Sequence, residues 1–199
     1  MAFMLPARLQ GAAKPSATRP TMLPKPDRLD MLIVWIGVGA DGIFVMTMTI
    51  MLARQASLEV AMISGGPLLA GRHFAGIVAA PLVSMIADRV GVRIPLVAMS
   101  ALLIARFLMI GLRWFAFGAG AIIVSHGALA ALCPAAVAHF STLGVMQPSA
   151  RNQVWRDVGA AVGPIGAGFL IGIVTPEEMH LVLAAICAVT SLLLMTSSM

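Results

Sequence analysis

From Met31 to Ser197 the sequence runs through six apolar stretches, each near the roughly 20 residues that a helix needs to cross a bilayer. They cover 31–53, 62–87, 94–112, 115–138, 157–174 and 180–197, with only short polar loops between them. Hydrophobic residues make up 60% of the chain and charged residues 11%. A soluble domain has about 25% charged residues, so this chain cannot cover a globule with polar surface. In lipid the backbone finds no water, and helices persist through residues that would break them elsewhere. The expected fold is an all-α membrane protein: a six-helix transmembrane domain over 31–199 behind a polar, proline- and arginine-bearing tail over 1–30.

The net charge of +5 does not point to nucleic acid. The basic residues sit in short segments between apolar runs and are not interleaved with aromatics. Arg8, Lys14, Arg19, Lys25 and Arg28 lie in the tail, Arg89 and Arg93 follow the second stretch, and Arg151 and Arg156 lie in the loop before the fifth. The other face has only Arg54 and Arg113, beside Glu59, Glu177 and Glu178. Basic residues collect on the cytoplasmic side of membrane proteins. Both termini are therefore expected in the cytoplasm, with the chain in a bacterial inner membrane or one derived from it. Cys133 and Cys187 fall within apolar runs and read as small packing residues. The methionines are scattered and read as lipid-facing filler, so neither metal nor cofactor is expected.

Charges inside the apolar stretches are costly and mark function. Asp41 lies about 15 Å into the first stretch at 1.5 Å per residue, near the middle of a core about 30 Å thick. It is flanked by Gly37, Gly39 and Gly42 and has no basic neighbour in sequence. His126 stands halfway along the fourth stretch and titrates near neutral pH. Arg106 lies about 9 Å below the outer end of the third stretch, where a structural role or an ion pair is expected. Arg72 and His73 lie about 24 Å along the helix from Asp88 and read as snorkelling residues at the outer interface. Asp157 suits a helix N-terminus, and Arg156 beside it is a candidate partner for Asp88.

Two motifs carry more. The first is "SMIADRVGVR", Ser84 to Arg93, in the loop after the second stretch. Asp88 and Arg89 end a helix there, Gly91 permits a turn at positive φ, and a carboxylate at this point suits the positive end of a neighbouring helix. The second is "GAAVGPIGAG", with Gly159, Gly163, Pro164, Gly166 and Gly168. Its small residues let two helix backbones approach closely. Together these resemble the major facilitator superfamily. Asp88, Arg89, Gly91 and Arg93 match its signature loop, while Ser84 and Val92 depart from it. The glycine–proline run is similar to that of the family's fifth helix. The resemblance covers nearly everything after the tail, but only one six-helix half of such a transporter, and the degenerate loop is C-terminal-half-like.

The resemblance implies a conformational latch at Asp88, Arg89, Gly91 and Arg93. It implies that Asp41 and His126 face a central cavity where they are candidates, with Arg106, for solute or proton handling. Arg156 and Asp157 are candidates for a gating ion pair. The expected function is movement of a small solute by alternating access with a second six-helix half, a separate chain or a second copy, and with proton coupling as a further expectation. The alternative is a non-transporting membrane interaction or assembly protein derived from such a half. An embedded enzyme is not expected: the spans hold no HExxH, no GxSxG and no paired carboxylates.

Overall fold

A computed structural model of the chain describes residues 26–140 and 146–197, and all regular structure among them is helical. The expected tail lies outside the described residues up to position 25. Six helices follow: α1 (Arg28–Gln55), α2 (Leu58–Val90), α3 (Arg93–Gly111), α4 (Phe115–Phe140), α5 (Met146–Leu170) and α6 (Pro176–Ser197). Five of them, all but α5, are long and apolar enough to cross a membrane. The α5 helix begins well before the expected start at 157 and so takes Arg151, Arg156 and Asp157 into its first turns.

Local chemistry sets the helix ends. Asp27 and Asp30 form a capping box that starts α1, each side chain accepting from the other's backbone N–H. Ser57 caps α2 by accepting from Val60 N. Thr175 and Glu178 cap α6 in the same reciprocal way as Asp27 and Asp30. At the far end of α2, Gly91 has φ 84°, the turn that the loop motif calls for. Pro67, Pro81, Pro134 and Pro164 all lie inside helices that continue through them, which is compatible with a backbone in lipid.

Polar contacts at the two ends show that the helices run up and down. At one end Arg28 Nη1 donates to Leu193 O at 3.0 Å, Arg151 reaches both Asp27 and Asp30, and Asn152 Nδ2 donates to Asp30 Oδ1 at 3.1 Å. This joins the starts of α1 and α5 to the finish of α6. At the other end Glu177 accepts from Arg54 at 2.9 Å, and Arg113 lies 3.7 Å away. That ties the finish of α1 and the α3–α4 turn to the start of α6.

The α1 helix is the enclosed one. Leu32, Ile33, Ala40, Phe44 and Met48 on it are buried against α2, α5 and α6. The α2 helix packs on α4 and on the second half of α1, and leaves much of its surface outward, with Phe74 70% and Ile77 72% exposed. On α5, Phe169 is 79% exposed. In water such apolar patches would drive association; long apolar helices with an apolar outer surface are compatible with an integral membrane protein.

Two seams hold the helices close. Gly37, Gly42, Gly159 and Gly163 let α1 and α5 meet backbone to backbone. A Cβ on Gly42 would lie 2.7 Å from Gly163 Cα, and one on Gly163 would lie 2.5 Å from Val38 O. Gly76 and Gly127 make the corresponding contact between α2 and α4. The second half of the glycine run differs. Gly166 and Gly168 have nothing within 4 Å of a Cβ position, so they face outward rather than into the seam.

These positions give a matched pair of substitutions. A helical Gly→Ala change alone favours the helix by about 1 kcal/mol, whereas overpacking costs about 1–3 kcal/mol. Gly168→Ala should leave the thermal midpoint in detergent unchanged or raised, and Gly163→Ala should lower it. Equal effects of the two would show that the α1–α5 seam is not formed as described.

Candidate functional site

The middle of α1 departs from regular α-helical winding. Over Gly37–Ile43 the turns widen to the π form, with Phe44 N–H donating to Gly39 O. Such widenings shift the backbone hydrogen-bonding frame and turn side chains to new directions. Three glycines in the sequence "GVGADG" make room for it. Asp41 sits in this segment, midway between Arg28 and Gln55.

Asp41 meets arginines from two other helices, with a histidine from a third alongside. Arg72 Nη2 on α2 donates to Asp41 Oδ1 at 3.0 Å, and Arg72 Nη1 donates to Ala40 O at 2.7 Å. Arg156 on α5 donates to Asp41 Oδ2 from both Nε and Nη2 at 3.2 Å. His126 Nδ1 on α4 stands 3.5 Å from Asp41 Oδ1, too far and too poorly aligned to be hydrogen-bonded. His126 Nε2 lies 3.5 Å from Arg156 Nη2, and the His73 ring meets His126 edge-on at 6.4 Å between centroids. One carboxylate thus joins α1, α2 and α5, with α4 alongside.

Arg106 on α3 forms the rear of the cluster. It has no solvent exposure, and its Nη1 donates to Ser125 Oγ at 2.8 Å. Its Nε and Nη2 have no hydrogen-bond partner among the described residues, and its guanidinium carbon lies 4.7 Å from the centre of the Phe107 ring. It lies within electrostatic reach of Asp41, Arg72 and His126. Beyond it on α6, His180 is buried against Phe107 and Phe44, with Nδ1 bonded to Pro176 O at 2.7 Å.

A narrow crevice of about 20 Å³, room for a water or two, lies beside this cluster. It runs between α1, α4 and α5. Ile33, Ile36, Leu129 and Cys133 form its apolar walls, and His126 and Arg156 its polar lining nearest the cluster.

The structure brings together Asp41 and His126, with Arg106 behind them. It also recruits Arg72, which sequence reasoning put at the outer interface. Arg72 lies near the middle of α2 (Leu58–Val90), where it is buried against Asp41. Arg156 pairs with Asp41 and not with Asp88. Asp157 accepts from Gln153 at 3.1 Å on its own helix. Asp88 and Arg89 are exposed at the end of α2 and form no ion pair among the described residues, while Arg93 opens α3. Arginine at 72 and 156 was legible as charge, but which carboxylate each would meet depended on how the helices pack.

The chain matches no family model, no curated protein and no solved structure.

Stability at Arg106 tests the reading that it is a buried cation held at a cost. Replacing buried charge by an apolar side chain of similar volume is often neutral, or stabilising by about 1–4 kcal/mol. Arg106→Met should therefore hold or raise the thermal midpoint in detergent. A large fall would mean that Arg106 is a structural member whose charge the fold needs.

Proposed function

We propose that this chain is one six-helix half of a membrane transporter of the major facilitator type, moving a small solute by alternating access with a second half. The second half is a separate chain or another copy of this one. The observation that supports this most is the Asp41 cluster: charges from four helices meet at mid-bundle, beside a narrow crevice. Buried ion pairs contribute little net stability, so a fold gains little by keeping one there for strength alone. Pairs that bridge helices can break and re-form as helices rock, which is the change alternating access requires.

In this reading the chain sits in a bacterial inner membrane with both termini cytoplasmic. The exposed Asp88 and Arg89 serve as a latch towards the second half, with Gly91 and Arg93 shaping the loop. Asp41 and His126 carry a coupling proton, a role suited to intramembrane carboxylates and histidines. The alternative, a membrane assembly protein without transport, draws on the outward apolar faces of α2 and α5.

Reconstituted vesicles distinguish the two. With a pH gradient imposed, wild-type protein should show proton flux that depends on added solute. Asp41→Asn should cut that flux by about a hundredfold or more, as removal of an acid–base group does. Unchanged flux in Asp41→Asn would remove the coupling role. A persistent monomer with no solute-dependent flux at all would favour the assembly reading.

A further inference from the structure

A second polar group lies away from Asp41, at the end of the bundle opposite Asp27 and Asp30. There Arg54 at the finish of α1, Arg113 in the α3–α4 turn and Glu177 at the start of α6 line a cavity of about 210 Å³. Met51 and Phe115, both buried, give it an apolar floor, and Gln55 adds a polar edge. One water needs about 10–15 Å³ on this scale, so there is room for a group of several heavy atoms. Its two cations are within reach of a ligand, since the side chain of Arg54 is 48% exposed and that of Arg113 81%.

The backbone at Arg113 is unusual. The α3 helix closes with Trp114 N–H donating to Met109 O at 2.8 Å and Arg113 N–H donating to Ile110 O at 3.0 Å. In this type of helix-ending turn the left-handed position usually holds glycine. Here it holds Arg113 at φ 68°, the one non-glycine residue at positive φ among the described residues. A residue with a Cβ enters that region at a cost, and such costs collect where a side chain has a task. Glycine would close the turn with less strain, so what the position keeps is the guanidinium.

The charges leave a surplus of one. Glu177 accepts from Arg54 Nη1 with both oxygens, at 2.9 and 3.1 Å, and Arg113 Nε stands 3.7 Å away. The other nitrogens of Arg54 and both Nη of Arg113 have no protein partner among the described residues. Glu178, next in sequence, accepts from Thr175 instead. Two guanidiniums against one carboxylate suit a singly charged oxyanion, and the guanidinium fork matches phosphate oxygens. The neighbouring surface indicates the source. Trp114 and Phe117 are exposed and pack together at 6.2 Å between centroids, next to exposed Leu112. Tryptophan gathers where bilayer meets water, and the oxyanion at that depth is the phosphodiester of a lipid.

We propose that the cavity between the finish of α1, the α3–α4 turn and the start of α6 binds the headgroup of an anionic phospholipid, with its phosphate oxygens on Arg54 and Arg113. The acyl chains lie along the apolar outer surface at Trp114 and Phe117. The site requires a bilayer around the bundle but no transport.

Three lipids with the same chains test this: phosphatidylglycerol, phosphatidylcholine, whose phosphate is offset by its own cation, and diacylglycerol, which has no phosphate. Each is titrated against the full chain, purified in a neutral detergent with any partner that copurifies, and the thermal midpoint is read. Phosphatidylglycerol should raise the midpoint saturably and the other two should not. Arg113→Gly should hold or raise the lipid-free midpoint, because glycine suits the turn. The same variant should raise the half-saturating concentration of phosphatidylglycerol about tenfold, as loss of a charged hydrogen bond does. Arg54→Gln should raise it as well. Glu177→Gln, which frees both guanidiniums, should lower it, and Arg28→Gln at the other end of α1 should leave it at the wild-type value. Equal shifts from phosphatidylglycerol and phosphatidylcholine, or a half-saturating concentration unchanged in both Arg113→Gly and Arg54→Gln, would overturn the proposal. Glycerophosphoglycerol, the headgroup without its chains, acting at the same concentration would assign the site to a soluble phosphodiester and overturn the lipid assignment. The bilayer reading fails separately, by recovery of the chain in the soluble fraction of cells.

Discussion

The arrangement of this bundle turns on one buried carboxylate. Asp41 offers two oxygens, and guanidiniums from two other helices take them. An ion in such a place is several kcal/mol worse off than in water unless it is paired, so the helices carrying Arg72 and Arg156 cannot drift from α1 without leaving a charge bare. The apolar side chains of α1 give burial but little direction, since the hydrophobic effect is non-directional and lipid tails are as apolar as leucine. Direction comes from the charges and from shape.

Shape enters through absent side chains. Gly37 and Gly42 on α1 face Gly159 and Gly163 on α5, so the two backbones come close enough for the short reach from Asp41 to Arg156. The widened turn at Gly37–Ile43 points Asp41 into the group, and the Ala40 carbonyl beside it accepts from Arg72. Gly76 and Gly127 bring α2 and α4 together in the same way, which places His73 beside His126. Packing and electrostatics are therefore one design: close seams put the ionic groups within bonding distance.

Much of this is readable in the residues themselves. The apolar runs mark every helix but α5 to within a few positions, because a long stretch without charge favours a buried or lipid-facing helix. The positive φ at Gly91 follows from a charged turn with a glycine in it. Asp41 stands out because it is an acid in the middle of an apolar run. The failures have physical causes too. Charge density hid the start of α5, since Arg151, Asn152 and Arg156 read as loop although they line the helix face that meets α1. Depth misplaced Arg72, because the helix carrying it is longer than its apolar stretch. Partner choice was not legible at all: periodicity shows which face of a helix is apolar, not which helix will cover it. Nor did the glycine run reveal that only its first half is used, since Gly166 and Gly168 differ from Gly159 and Gly163 only in what lies opposite.

The central claim is that Asp41 and Arg72 are a direct, buried pair across α1 and α2. A double-mutant cycle in thermal unfolding measures it, with Asp41→Asn, Arg72→Met and both together. Contacting residues couple by about 0.5–3 kcal/mol. The account predicts coupling within that range, with the double variant more stable than the sum of the single losses. Coupling indistinguishable from zero would contradict it, because two groups that share a bond cannot be lost independently.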